Sequence, residues 1–125
     1  MAARILVVED NEANIELVDY VLTAHGFAPL LASTGEEGVR MAGATPPDLI
    51  LLDIGLPGMD GYEVAAAIRE QPACEHTRIV AVTASSMGDR ERIAAAGFDG
   101  YIPKPIDPAT FIAEIEPFLP DGTGG

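Results

Sequence analysis

The stretch RILVVEDN at residues 4–11 decides the fold, because an unbroken apolar run ends abruptly in two carboxylates. DLILLD at 48–53 repeats this pattern, and RIVAVT at 78–83 ends its apolar run in a hydroxyl. Short runs rich in Ile, Leu and Val, with little polar alternation, are typical of strands that are buried on both faces of a parallel sheet. We therefore predict strands at 4–8, 27–32, 48–53, 78–83 and 99–103.

Amphipathic helical patterns separate these runs. The apolar residues of 12–25 are spaced for one helical face, and Gly26 suits the left-handed position that follows a helix end. Further helices are predicted near 61–70, 88–96 and 108–118. Three start signals mark helices that follow the first one: the capping-box spacings Thr34/Glu37 and Asp60/Glu63, and Asp107 as an N-cap before Pro108.

Strict alternation of strands and helices implies parallel strands joined by right-handed crossovers. Helices must then cover both faces of the sheet, which favours a flavodoxin-like order. We predict an α/β fold, a doubly wound (βα)5 parallel sheet with strand order 2-1-3-4-5.

Length and composition predict one domain, residues 1–119, followed by a flexible tail at 120–125. The single cysteine, Cys74, excludes an internal disulfide. A net charge of −13 argues against binding to nucleic acid or to an anionic membrane surface. With neither a signal-peptide pattern nor a long apolar run, we expect a cytoplasmic location.

Parallel strands bring their carboxyl ends to one edge of the sheet, where ligands bind in open α/β folds. Glu9 and Asp10 follow the first strand, and Asp53 ends the third. Three neighbouring carboxylates repel one another, and a hard divalent cation removes that penalty. The cluster therefore predicts a Mg²⁺ site.

The same edge carries groups suited to phosphoryl transfer. A carboxylate such as Asp53 can act as a nucleophile and form an aspartyl-phosphate. The transferred group then needs neutralisation of its equatorial oxygens, for which Thr83 and Lys104 follow the fourth and fifth strands. We expect these residues to share one pocket.

Four motifs together resemble the receiver domain of two-component response regulators. They are VVEDN at 7–11, LLDIGLPGMDG at 51–61, VTAS at 82–85 and YIPKPID at 101–107. The resemblance extends from residue 4 to about residue 119, and it is closest to receivers that consist of a single domain.

The resemblance implies roles for individual residues. Asp53 would accept a phosphoryl group from a phosphohistidine, and Thr83 and Lys104 would contact its oxygens. Asp10, Asp53 and the backbone carbonyl of Gly55 would bind Mg²⁺ directly, and Glu9 would act through water. Lys104–Pro105 resembles the family's cis peptide.

The resemblance also implies a switch and partners. Tyr101 would swing inwards as Thr83 moves to the phosphoryl group, which would repack the 88–119 face for a downstream protein. The donor would be a sensor histidine kinase or a histidine phosphotransfer protein. It would dock at the start of the first long helix, on Asn11, Glu12, Asn14 and Ile15.

Two positions would set the lifetime of the phosphoryl group. Gly55 and Ser85 lie two residues after Asp53 and Thr83, and neither carries an amide or acid to orient an attacking water. We therefore expect slow self-dephosphorylation.

The function that follows is a phospho-accepting signalling module that catalyses only its own phosphorylation and dephosphorylation. One alternative is a phosphohydrolase or phosphotransferase with an aspartate nucleophile, which typically needs an acid/base carboxylate where Gly55 stands. The other alternative is a receiver-like protein-binding module that works without phosphorylation.

Overall fold

A five-stranded parallel sheet forms the centre of the computed structural model, which describes residues 3–56, 58–84 and 89–120. The strand order is β2-β1-β3-β4-β5, which confirms the predicted topology. The strands are β1 (Ile5–Val8), β2 (Leu30–Ala32), β3 (Leu49–Asp53), β4 (Arg78–Thr83) and β5 (Gly100–Pro103). The helices are α1 (Glu12–Ala24), α2 (Gly35–Ala44), α3 (Gly61–Arg69), α4 (Asp89–Ala95) and α5 (Phe111–Ile115), with short 3-10 helices at Pro72–Cys74 and Glu116–Phe118.

The sheet separates two apolar layers, because successive strand residues point to opposite faces. Leu6, Ile50 and Ile79 belong to the layer that also contains residues of α2, α3 and α4. Their strand neighbours belong to the other layer, which Phe111 of α5 and Leu22 of α1 join. Both faces of the sheet are therefore buried, as the apolar runs predict.

The direction in which strands are added to the sheet reverses between β1 and β3. These two strands are neighbours in the sheet although β2 lies between them in sequence. From β1 the chain passes to β2 at one edge, and from β3 it passes to β4 on the other side. Such a switch point opens a crevice at the carboxyl ends of the two strands. Glu9 and Asp53 lie at that crevice.

Helix ends agree with most of the predicted caps. Asp60 Oδ1 accepts from the Glu63 backbone N at 2.9 Å, and Glu63 Oε1 accepts from the Asp60 N, so this capping box is confirmed. Thr34 caps α2, but Glu37 accepts from the N of Ser33 instead of closing the box on Thr34. Gly26 has φ +88°, the predicted left-handed conformation.

The second strand is shorter than predicted. The structure pairs only Leu30–Ala32 with β1, so the prediction was wrong for 27–29. Phe27 is buried and donates its backbone N–H to Leu22 O, which closes the end of α1. Pro29 has no N–H to give to a sheet ladder.

The last helix is also shorter than the predicted 108–118. Asp107 is not the N-cap: its carboxylate accepts from Ala109 N and its carbonyl from Thr110 and Phe111 N, which makes a turn before α5 begins at Phe111. Pro117 offers no N–H for an α-helical bond, and the chain continues as a 3-10 helix. The extent 1–119 of the domain stays a prediction, and residues 121–125 of the predicted tail lie outside the described residues.

Close packing of α3 on the end of β3 makes Gly61 a sensitive position. A Cβ there would lie 2.5 Å from Ile54 Cα and 3.0 Å from the Asp53 carbonyl oxygen, both backbone atoms. We expect Gly61→Ala to lower the free energy of unfolding by about 1–3 kcal/mol in urea denaturation, because the backbone must shift.

Gly43→Ala is the matched control, since it also adds a methyl group to a helix. The nearest atom to a Cβ there is Oε1 of Gln71, at the end of a flexible side chain. We expect Gly43→Ala to change the free energy of unfolding by less than about 1 kcal/mol. Equal stability of the two variants would contradict the close packing at Gly61.

Candidate functional site at the carboxyl edge of the sheet

The end of β1 delivers two acidic side chains with different surroundings. The Glu9 backbone N donates to Ala32 O at 3.0 Å, which continues the ladder to β2 by one residue. Glu9 is buried, with 4% of its surface exposed, whereas Asp10 is exposed. The site thus has one carboxylate inside the fold and one at its mouth.

Asp53, the last residue of β3, is buried and held from two sides. The backbone N of Gly55 donates to Asp53 Oδ1 at 2.9 Å. Lys104 Nζ lies 3.2 Å from Asp53 Oδ2 and also 3.2 Å from Glu9 Oε1. One ammonium group therefore joins the carboxylates of the first and third strands.

Lys104 and Thr83 are fixed next to each other by the backbone. The Lys104 N donates to Thr83 O at 2.8 Å, directly after the pairing of β4 with β5. Thr83 is buried, and the Lys104–Pro105 peptide is cis, as predicted. An open cleft beside the carboxylates is lined by Asp53, Ile54, Gly55, Thr83, Ala84 and Lys104.

The three predicted metal ligands with carboxylates do come together. One oxygen each from Glu9, Asp10 and Asp53 lies within 4.8 Å of the others. A set made entirely of carboxylate oxygens suits a hard divalent cation such as Mg²⁺. The donor set therefore fits the predicted metal.

Burial and crowding act on the ionisation of these groups. Burial raises the pKa of Glu9 to about 7, and the neighbouring Asp53 acts in the same direction. For Asp53, burial opposes ionisation, but hydrogen bonds from Glu9 and Gly55 and the charge of Lys104 outweigh it and lower its pKa. Burial would lower the pKa of Lys104, but the two carboxylates outweigh it and raise that pKa. Without metal, the carboxylates therefore differ in proton affinity.

Tyr101, the predicted switch residue, is half-buried on β5 and packs against the core layer of α2, α3 and α4. The guanidinium carbon of Arg90 lies 4.9 Å from the centre of its ring, a cation–π arrangement. This contact could not be predicted from the sequence, because no local spacing links residues 90 and 101. The inward swing of Tyr101 stays a prediction.

Sequence reasoning also missed the contact between Asn14 and Glu9, in which Asn14 Nδ2 donates to Glu9 Oε1. Asn14 was placed on the donor-docking surface with Asn11, Glu12 and Ile15, and that role stays a prediction. The available signal was the N-cap at Asn11, which fixes where the first turn of α1 begins. Ser85, and part of the predicted 88–119 face, lie outside the described residues.

A doubly wound sheet with a metal-type acidic cluster and a lysine at its switch point defines a class of phospho-accepting α/β domains. The model of the response regulator receiver domain matches residues 5–116. The chain belongs to this family, whose members accept phosphoryl groups in two-component signalling and interact with histidine kinases or phosphotransfer proteins. It is a signalling domain, not a classical enzyme.

Relatives and solved structures agree with this assignment. The polar-differentiation response regulator DivK of Brucella ovis is 38% identical over 122 residues, which cover 97% of this chain and 99% of the relative. The receiver domain of a sensor histidine kinase from Pseudomonas aeruginosa, solved with a magnesium ion in its active-site cleft, is 34% identical with a TM-score of 0.86 over 94% of this chain and 98% of its own. The chemotaxis protein CheY4 of Vibrio cholerae has a TM-score of 0.90 at 28% identity, covering 95% of this chain and all of its own.

Within residues 3–56, 58–84 and 89–120, every helix is too short or too polar to cross a bilayer.

The raised pKa of Glu9 makes stability depend on pH when metal is absent. At pH values between the ordinary pKa of 4.5 and the raised pKa of about 7, Glu9 in the folded protein holds a proton that the unfolded chain releases. Its contribution to the free energy of unfolding is therefore full below about 4.5 and is lost as pH rises through about 7. In EDTA, we expect the wild type to lose up to about 3 kcal/mol over this window relative to Glu9→Gln.

Urea denaturation at a series of pH values from 5 to 8 measures this difference. The lowered pKa of Asp53 acts outside the window, because its contribution is lost only as pH falls below the ordinary 3.8. Parallel pH profiles for the wild type and Glu9→Gln would contradict the assignment of the proton to Glu9.

Proposed function

We propose that Asp53 is the phosphoacceptor of this receiver domain and that Glu9, Asp10, Asp53 and the Gly55 carbonyl form its Mg²⁺ site. The observation that carries the proposal is the position of Lys104 Nζ, 3.2 Å from carboxylate oxygens of both Glu9 and Asp53. A cation thus lies beside the proposed nucleophile, next to three clustered carboxylates and an open cleft, which supports the proposal.

The transfer uses an oxygen of the Asp53 carboxylate as the nucleophile. That oxygen forms a bond to phosphorus, the P–N bond of the donor phosphohistidine breaks, and its electron pair goes to the imidazole nitrogen. When bound, Mg²⁺ neutralises charge on the carboxylates and the phosphoryl oxygens.

The remaining groups of the cleft orient the product. Lys104 turns from Glu9 to a phosphoryl oxygen, because the negative charge of that oxygen attracts the ammonium group. Thr83 lines the same cleft, and its hydroxyl donates to a further oxygen together with nearby backbone N–H groups. These donors lie at the edge of the sheet beside the acceptor, which favours the phosphorylated state.

The response to phosphorylation passes through Tyr101. As Thr83 moves towards the phosphoryl group, the Tyr101 ring turns inwards and leaves the guanidinium of Arg90, which lies over it in the present arrangement. The face made by 88–119 then repacks and binds a downstream protein.

The donor is a sensor histidine kinase or a histidine phosphotransfer protein that docks beside the acidic pair, on Asn11, Glu12, Asn14 and Ile15. The protein catalyses its own phosphorylation and dephosphorylation, and a cytoplasmic location stays a prediction. The phosphorylation-independent binding module is the competing hypothesis, and the experiment that follows distinguishes the two.

Acetyl phosphate and Mg²⁺ test the acceptor directly. We expect intact-protein mass spectrometry to show the addition of one phosphoryl group to the wild type, lost in Asp53→Asn and in EDTA, because the nucleophile or the metal is then missing. Asp19→Asn, on the outer part of α1, is the matched control and should be phosphorylated like the wild type. Absence of an adduct in the wild type would favour the phosphorylation-independent module.

The phosphoryl group should be long-lived. A Cβ at Gly55 would lie 3.7 Å from Asp53 Oδ1, so a side chain at this position would reach the acceptor, and glycine has none to orient water. We expect a half-life of many minutes or longer. It is measured from the loss of the phosphoryl mass after acetyl phosphate has been removed.

Gly55→Asn should shorten that half-life, since its amide could hold an attacking water. Gly55 has neither a positive φ nor a close neighbour that would prevent the substitution. A half-life of a few seconds in the wild type would contradict the account of this position.

A further inference from the structure

Asn14 connects the first helix to the buried acid of the site. Its side-chain Nδ2 donates to Glu9 Oε1, and both residues are at least half-buried. Lys104 Nζ contacts the same oxygen at 3.2 Å and Oε2 at 3.5 Å. Glu9 is thus held by one neutral donor and one charged donor.

The position of Asn14 is fixed by the start of α1. Asn11 is the N-cap, and its side-chain oxygen accepts from the Asn14 backbone N at 3.0 Å. The Asn11 carbonyl accepts from Ile15 N at 3.0 Å, so the first turn is closed at two consecutive residues. Helical side chains lean towards the N-terminus of their helix, which brings the Asn14 amide back to the end of β1.

The two donors to Glu9 differ in what phosphorylation requires of them. In the proposed function Lys104 turns to a phosphoryl oxygen and gives up its contact with Glu9. Asn14 has no charge to follow the phosphoryl group, so its hydrogen bond can persist. A neutral amide also fixes a carboxylate without repelling a nearby cation, which a lysine or arginine at this position would do.

We propose that Asn14 is a positioning residue of the metal site. Its amide holds the Glu9 carboxylate in the orientation from which it would act on Mg²⁺ through water, both before and after Lys104 moves. This role rests on the proposed Mg²⁺ site, and it concerns a residue that does not itself touch the metal. Partners that orient a metal's ligands typically matter about tenfold or more for metal affinity.

The space around Asn14 decides which substitution tests this role. A cavity of about 10 Å³ lies beside it, lined by Glu9, Asp53 and apolar residues such as Val18 and Phe111. Truncation to alanine would enlarge this space to admit water, which could replace the amide as a donor. Asn14→Leu keeps the branched shape in a somewhat larger side chain and removes the donor, and Asn14→Gln keeps an amide.

The experiment is a double-mutant cycle on Mg²⁺ affinity, measured by calorimetric titration of unphosphorylated protein with MgCl₂. We expect Asn14→Leu to raise the Kd about tenfold and Asn14→Gln to raise it less. In a Glu9→Gln background, Asn14→Leu should change the Kd by less than about twofold, because the residue acts through Glu9.

Thr34→Ala controls for general destabilisation. It removes the cap of α2, a hydrogen bond from Glu37 N, and leaves the hydrogen bonds and ion pairs of Glu9 and Asp53 in place. Its unfolding should become easier by about 1 kcal/mol, while its Kd for Mg²⁺ stays at the wild-type value. The increase of the melting temperature by saturating Mg²⁺ is a second readout, and it should shrink in Asn14→Leu but not in Thr34→Ala.

Two results would overturn the role of Asn14 while leaving the metal site in place. One is an unchanged Kd in Asn14→Leu, and the other is an equal loss of affinity with and without Glu9→Gln. Absence of Mg²⁺ binding by the wild-type protein would instead overturn the metal site itself, and this role with it.

Discussion

The shared contact of the Lys104 ammonium with Glu9 and Asp53 is the interaction on which the site depends. Both side chains are buried, and ionising both carboxylates together is costly without a cation between them. Lys104 offsets that cost in the metal-free protein, and together with the hydrogen bonds from Glu9 and Gly55 it lowers the pKa of Asp53. In the phosphorylated protein a metal ion would take over this compensation, because it brings positive charge to the carboxylates. The phosphoryl group would meanwhile draw Lys104 away from Glu9.

The sheet makes this contact possible over a long separation in sequence. Residues 9, 53 and 104 meet because β1 lies beside β3, and because β5 pairs in parallel with β4 and so ends at the same edge of the sheet. The apolar residues that fill both faces hold the strands in register, so the polar ends have little freedom. The core therefore fixes the backbone positions from which the three charged side chains extend. The family to which the chain belongs uses that edge for phosphoryl transfer.

Strand order and the acidic cluster could be predicted from the sequence because each depends on a strong local signal: an apolar run that ends in a charge. Lys104 was assigned correctly to this edge, although its contact with Glu9 in the metal-free protein was not foreseen. The contacts of Asn14 with Glu9 and of Arg90 with Tyr101 depend on how a helix sits on the sheet, which sequence spacing does not fix. Residues 27–29 were wrongly predicted as strand and 108–110 as helix, because their composition resembles that of a strand and of a helix start. In the structure Phe27 and Asp107 instead close turns through backbone hydrogen bonds.

The most direct measurement is a crystal structure of the protein with Mg²⁺ and beryllium trifluoride, which mimics a phosphoryl group on a carboxylate. The account predicts beryllium bonded to an Asp53 carboxylate oxygen, Lys104 Nζ on a fluorine and no longer on Glu9, and the Asn14 amide still on Glu9. Beryllium bound elsewhere, or Lys104 still joined to Glu9 beside a modified Asp53, would contradict it.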